Sequence, residues 1–290
     1  MSFSEFLQKE KLFRTASDCS PSKLKKEITE LGFQWFRDNP SATEAIENNL
    51  RAFGFDPAAS LISDFQYHLS LHYYEKFLGI CLKPSEYREY LRERIDGIEA
   101  INLLQNSLQK TRGIFVTTCH FGAVEFIVPY LSSFMLPVSA VLRFKTQMLS
   151  ETVHKRAQQM ASGGDFGSIG FIEIGKPGSA VALEMAAVLR RKEILLSIFD
   201  EKTEYSKPVK LLNREVWGGA GVDRITRFCG SEVDLFAAFM QRTGEETYKL
   251  MLHKADPEQP VESMFSCLEK FAGTNPEQWY FLHEEIPFVE

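Results

Sequence analysis

The pair most able to do chemistry is His120 and Glu125, five positions apart in His120-Phe121-Gly122-Ala123-Val124-Glu125. A carboxylate on one imidazole nitrogen fixes the tautomer and leaves the other nitrogen to accept a proton, which makes a general base with an orienting partner. Gly122 permits a tight backbone approach, so a step of this length can return the carboxylate to the ring. A helix-capping histidine beside a solvated glutamate explains the same spacing, and spacing alone leaves both readings open. Other candidates carry less. His68 and His72 have the i, i+4 spacing of metal ligands, but no internal Glu or clear third ligand accompanies them, so a polar helix stripe is expected. Gly218-Gly219-Ala220-Gly221 could offer backbone N–H groups to an anion ahead of a helix; it fits no nucleotide-binding spacing and reads as a turn. Cys119 precedes His120 directly, and adjacent strand residues face opposite ways, so its thiol is expected in the core and not beside the imidazole.

These residues need a scaffold that ends strands at one edge. Residues 114–119, 138–142, 171–174, 194–199, 233–240 and 247–253 read as strands. Between them, helices are expected over 123–134, from about Ser150, up to Arg191 behind a Ser179 cap, over 222–228, and from near Val261. Strands alternating with helices in this way predict a mainly parallel sheet sandwiched by helices, an α/β class. In such sheets ligands bind beyond the carboxyl ends of the strands. His120 stands where one strand stops. The first part of the chain reads as helical: a segment around Phe3 to Phe13, another carrying Leu24, Ile28 and Leu31 before the Asn39-Pro40 break, an aromatic-rich one from Ser60 to about Leu82, and a charged one from Pro84 to about Gln109. The expected organisation is a helical region, 1–110, packed on an α/β core, 111–290, as one unit. The aromatics between Phe65 and Phe77 belong to a core or to the apolar wall of a ligand site.

Composition narrows the field. The chain has 290 residues, 44% hydrophobic and 25% charged, with a formal net charge of −6. That hydrophobic content excludes a disordered chain, and the net negative charge argues against nucleic acid as a partner. No stretch approaches 18 consecutive apolar residues, so no membrane span is expected. The N-terminus lacks the pattern of a secretory signal. Five scattered cysteines, none at Cys-x-x-Cys spacing, suit free thiols in a reducing compartment and argue against a zinc site. A cytoplasmic protein is expected. The amphipathic start, with Lys9, Lys11 and Arg14, is expected to pack on the domain, with at most peripheral contact at the inner membrane face.

The stretch Val116-Thr117-Thr118-Cys119-His120-Phe121-Gly122-Ala123-Val124-Glu125 resembles the His-x4-Asp/Glu box of the lysophospholipid acyltransferase superfamily, and within it the lauroyl- and myristoyltransferase branch of lipid A synthesis. Three further stretches are similar and fall in the same order: Val141-Leu142-Arg143, residues 194–200 ending in Asp200, and Pro276-Glu277-Gln278-Trp279 with its continuation to His283. The likeness covers about residues 105 to 286. It departs at Ala123, where relatives often carry Asn, and over residues 211–221, which differ from the family's usual segment. The N-terminal membrane helix of the lipid A enzymes has no counterpart.

The resemblance implies an acyltransferase that moves a fatty acyl chain from an acyl carrier protein or coenzyme A thioester to a hydroxyl or amine on a lipid or soluble acceptor. It implies no other cofactor, no metal and no acyl-enzyme; the absence of a Gly-x-Ser-x-Gly elbow agrees with the last. In that reading His120 takes the acceptor's proton and Glu125 orients His120. Gly122 lets backbone approach the substrate, Arg143 holds an anionic group, and Asp200 supports the site. A surface or ion-paired arginine and a capping or structural aspartate are the plain alternatives for the last two. An acyl thioesterase or esterase, with water as nucleophile, is the second reading. A non-catalytic module that binds acyl chains or carrier protein is the third.

Overall fold

The computed structural model describes residues 2–10, 16, 19–110, 112–143, 147–175 and 180–289. Lys11, Phe13, Arg14 and the expected cap Ser179 lie outside the described residues. Among the described residues there are eleven α-helices and a seven-stranded, mostly parallel sheet, so the α/β class and the mainly parallel sheet are as expected.

The helical N-terminal part comprises α1 (Phe3–Lys9), α2 (Pro21–Asp38), α3 (Pro40–Ala52), α4 (Ala59–Cys81) and α5 (Pro84–Arg94). Ser2 and Glu5 form a reciprocal capping box on α1, and Ser20 with Pro21 starts α2. Phe3 packs on Trp35 and Tyr73 with centroids 5.4 and 4.8 Å apart, so the apolar face of α1 is buried within the fold, as expected. The charged segment from Pro84 is not one helix. It breaks after Arg94 into the two-residue strand β1 (Ile95–Asp96), which pairs with Tyr248 and Lys249, and α6 (Ile98–Gln109) resumes beyond Gly97. Helical periodicity continues across the break, but Gly97 sits where a Cβ would come within 2.8 Å of the Tyr130 ring, so tertiary packing decides the geometry.

The core begins at β2 (Gly113–Thr118), fully buried as its apolar run requires. Then come a 3₁₀ turn, Val124–Phe126, and α7 (Ile127–Ser133), β3 (Val138–Leu142), α8 (Gln147–Ser162), β4 (Ile169–Glu173), α9 (Val181–Arg190) and β5 (Ile194–Ile198). A hairpin not expected from sequence follows: β6 (Ser206–Leu211) and β7 (Arg214–Gly219), an antiparallel pair outside the main sheet. The chain ends with α10 (Gly221–Cys229), β8 (Val233–Gly244), β9 (Thr247–Lys254), α11 (Pro260–Thr274) and two 3₁₀ turns over Pro276–Gln278 and Tyr280–His283. The sheet order is β1-β9-β8-β2-β5-β3-β4, with five parallel strands from β8 to β4 and β9 running against β8. No helix among the described residues is long and apolar enough to cross a membrane.

One detail of register positions the site. Strands β2 and β5 are direct neighbours, and Thr118 pairs with Ile198. Two residues further along each, at the same carboxyl edge, stand His120 and Asp200. The helical part closes over this edge: α4 lies against both 3₁₀ turns of the C-terminal segment.

Candidate active site

His120 leaves β2 into a tight loop held from both sides. The Gly122 N–H donates to the Gln278 carbonyl at 2.8 Å, and the Ala123 N–H donates to the Met240 carbonyl at 2.7 Å. Gly122 has φ +60, and a Cβ there would lie 2.0 Å from the Met240 oxygen, so only glycine fits. Gly122 thus brings the loop onto the backbone of β8, and its N–H is spent on Gln278. The close approach seen there is to the backbone of β8.

The partner of His120 is Asp200. Nδ1 lies 2.9 Å from Oδ1 of Asp200, while the His120 backbone N–H and the indole Nε1–H of Trp279 donate to Oδ2 at 3.0 and 3.1 Å. Asp200 is 3% exposed, so three converging donors replace the water it has lost. A carboxylate facing Nδ1 fixes the proton on that nitrogen and leaves Nε2 as the basic atom. The ring is clamped by Phe281, stacked at 5.2 Å, and by Tyr280, edge-on at 4.8 Å. Burial pulls the His120 pKa down, but Asp200, by charge and hydrogen bond, and Glu201 outweigh it and hold the group above its ordinary value. Glu201, largely exposed, places Oε1 3.4 Å from Nε2.

Glu125 does not fill the role its spacing suggests. The turn after Ala123 is 3₁₀ and directs this carboxylate toward α4, where it sits 3.3 Å from Lys76 Nζ and 3.7 Å from His72 Nε2. The orienting position at Nδ1 belongs to Asp200, from a strand eighty residues later. His72 is not part of a solvated stripe. It is 1% exposed, stacks on Tyr280 at 4.0 Å, and neither ring nitrogen has a hydrogen-bond partner. Burial, with Lys76 and Arg242 nearby, pushes its pKa well down. Arg143 is exposed at the end of β3, two strands from His120.

The remaining sequence candidates are now placed. Cys119 is fully buried, and burial, reinforced by the Asp200 charge, raises its thiol pKa far above the ordinary value, as a core cysteine requires. Gly218 and Gly219 close β7, where the Gly219 N–H is spent on the Phe199 carbonyl. All five cysteines are free. Among the described residues no group of three or more His, Cys, Asp or Glu side chains is arranged to hold a metal ion. His68 faces a cleft of about 360 Å³ whose lining includes Lys25, Tyr74 and Arg242. There Arg242 is bound by Glu75 through two contacts of 2.8 and 2.7 Å, both groups being buried. Burial lifts the Glu75 carboxyl to about 7 against the pull of Arg242, and burial together with Arg242 lowers His68 to about 3.

Trp279, Tyr280, Phe281, Lys76, His72 and Glu201 all border the site and were not singled out as site residues by sequence. Trp279, Tyr280 and Phe281 fall in the stretch from Pro276 to His283 and His72 in the i, i+4 pair with His68; nothing local marks Lys76 or Glu201. No family model matches the chain, and no curated protein matches it.

Proposed function

We propose that this protein is an acyltransferase of the lysophospholipid acyltransferase type, transferring a fatty acyl chain from an acyl carrier protein or coenzyme A thioester to a hydroxyl or amine. The observation that carries the reading is the His120–Asp200 pair at the carboxyl edge of two adjacent parallel strands, with Nε2 of a buried, clamped imidazole turned toward the exposed Glu201 side. The four sequence stretches that resemble the family supply three of the elements meeting there: the ends of β2 and β5 and the Trp279 segment.

In this mechanism the acceptor lies against Nε2. His120 takes its proton as it attacks the thioester carbonyl, and Asp200 stabilises the imidazolium that forms. The tetrahedral species collapses with cleavage of the carbon–sulfur bond, and the leaving thiolate recovers the proton from His120. Asp200 performs the orienting task assigned to Glu125 by spacing. The acyltransferase version of the α/β fold, the cytoplasmic location and peripheral membrane contact belong to the same proposal.

The test is mass spectrometry of acyl carrier protein and coenzyme A thioesters of several chain lengths, incubated with the protein and a host extract. His120→Ala runs in parallel. Acyl loss that needs both protein and extract, and disappears in the variant, is the expected result. Acyl loss without extract makes the protein a thioesterase. No loss with either donor rejects catalysis and leaves a binding module.

A further inference from the structure

Cys19 and Cys81 stand sixty-two positions apart in the chain and meet in the fold. Cys81 is the last residue of α4, and Cys19 comes one place before Ser20, which caps α2. The Cys81 thiol donates to the Cys19 carbonyl at 2.7 Å. A carbonyl oxygen lies about 2.4 Å from its own Cα, so the Cys81 sulfur is within about 5 Å of the Cys19 Cα. Cys19 is also the ionisable group that acts most strongly on the Cys81 thiol, ahead of Glu86, so both sulfurs belong to one locality.

The helices that carry the pair are pinned together. A Cβ at Gly32 of α2 would fall 2.0 Å from the Ser70 Oγ of α4, and Phe3 packs on both Trp35 and Tyr73. Gly32 against Ser70 and Cys19 against Cys81 give the two helices one antiparallel alignment, with the cysteines at its end. The Ser20 cap fixes the backbone at Cys19, since its Oγ accepts from the Lys23 N–H. Both cysteines are half-buried, open to a small reagent yet held by the fold, whereas Cys119 is fully buried.

We propose that Cys19 and Cys81 are a modification site, a dithiol that a small disulfide such as oxidised glutathione converts to a reversible intramolecular disulfide fastening α2 to α4. The step is thiol–disulfide exchange. The Cys81 proton is engaged by the Cys19 carbonyl, and burial, with Cys19 and Glu86 alongside, holds that thiol above its ordinary pKa, so Cys19 reacts first. Its thiolate attacks one sulfur of the oxidant, a mixed disulfide forms, and one small thiolate leaves. Cys81 then gives its proton to solvent and attacks the Cys19 sulfur, expelling the second small thiolate. The protein loses two S–H bonds and gains one S–S bond, and the oxidant is reduced to two thiols. An excess of the reduced thiol reverses both steps. The bond closes a loop that contains α2, α3 and α4, which restricts the unfolded chain, and it ties down the helix that brings His72 and Lys76 to the His120 edge.

The test equilibrates the purified protein with oxidised and reduced glutathione at set ratios, quenches with N-ethylmaleimide, and reads intact mass and a peptide map. The expected product has lost two hydrogens, carries a single link between Cys19 and Cys81, and returns to the dithiol with dithiothreitol. Its thermal midpoint should rise by about 4–8 °C on oxidation. Cys19→Ser and Cys81→Ser should each abolish the link and the rise, while Cys229→Ser and Cys267→Ser should leave both unchanged. Glutathione adducts at Cys19 that never resolve, or a link between other cysteines, overturn the pairing. A link that forms with no rise in midpoint overturns the fastening of α2 to α4. The wild-type map decides the pairing by itself where a serine variant folds poorly.

Discussion

Replacing Asp200 with asparagine tests the central geometry, because the two end groups of the new side chain are no longer equivalent. Three donors converge on the carboxylate, one on Oδ1 and two on Oδ2. An amide nitrogen in the place of Oδ2 would confront both the His120 N–H and the Trp279 indole and lose two hydrogen bonds. In the place of Oδ1 it confronts only Nδ1, which can adapt by giving up its proton. The second arrangement is cheaper by one contact, so Asp200→Asn should hold its carbonyl toward the two fixed donors and force the His120 proton onto Nε2. The stability cost is the charge assistance of these bonds, about 1.5–3 kcal/mol for a hydrogen bond to a charged group. The catalytic cost is larger, about 100- to 10,000-fold in turnover, since the basic nitrogen is now blocked. The loss of stability should also depend on pH. A folded pKa held above the unfolded one stabilises fully below the unfolded value, and that stabilisation disappears as pH rises through the folded one. The gap between wild type and variant should therefore be widest near pH 6 or just below and should narrow in alkali. Urea unfolding at several pH values, thioester turnover and nitrogen-15 shifts of the imidazole provide the readouts. Turnover within about threefold of wild type, or an imidazole that keeps its proton on Nδ1, would refute the reasoning.

Two further substitutions probe how the site is held. Gly122→Ala places a methyl against the Met240 carbonyl at a positive φ; strain and overpacking together should cost about 3 kcal/mol, measured by denaturant unfolding, and a change below about 0.5 kcal/mol would contradict the clasped loop. Glu75→Gln leaves the Arg242 charge buried without its carboxylate and should lose about 3–5 kcal/mol of stability, while adding Arg242→Met should restore part of it; an unchanged unfolding midpoint in the single variant would show that the pair contributes nothing.

The elements of the core were legible because each announces itself locally. Residues 138–142 are a strand in both readings, and the apolar runs that become β2 and β5 need no partner to be recognised. The hairpin of β6 and β7 was not legible, since Lys207, Pro208, Arg214 and Glu215 give it neither an apolar run nor strict alternation, and its burial comes from contact with α11. His120 could be read from its position at a strand end. Its partner could not be chosen, because a five-residue step and an eighty-residue step both end on a carboxylate. What decides is the register of Thr118 on Ile198 and the 3₁₀ turn that carries Glu125 away. Asp200 was expected in a supporting place; the sheet makes it the direct ligand of the imidazole. The enclosure by Tyr280, Phe281, Lys76 and His72 depends on α4 and the C-terminal segment meeting over one edge, a relation no local pattern records.

The dependence of Asp200 on the Trp279 indole also orders events in time. His120 and Trp279 are separated by roughly 160 residues. At about 5–20 residues per second of synthesis, a growing chain exposes the histidine loop for roughly ten to thirty seconds before the residue that completes its carboxylate's coordination exists. Throughout that interval Gly122 also lacks the Gln278 carbonyl, and in its first part β2 lacks β8 at its side. A ribosome-bound chain stalled before residue 276 would therefore carry the dyad's two residues without a finished base.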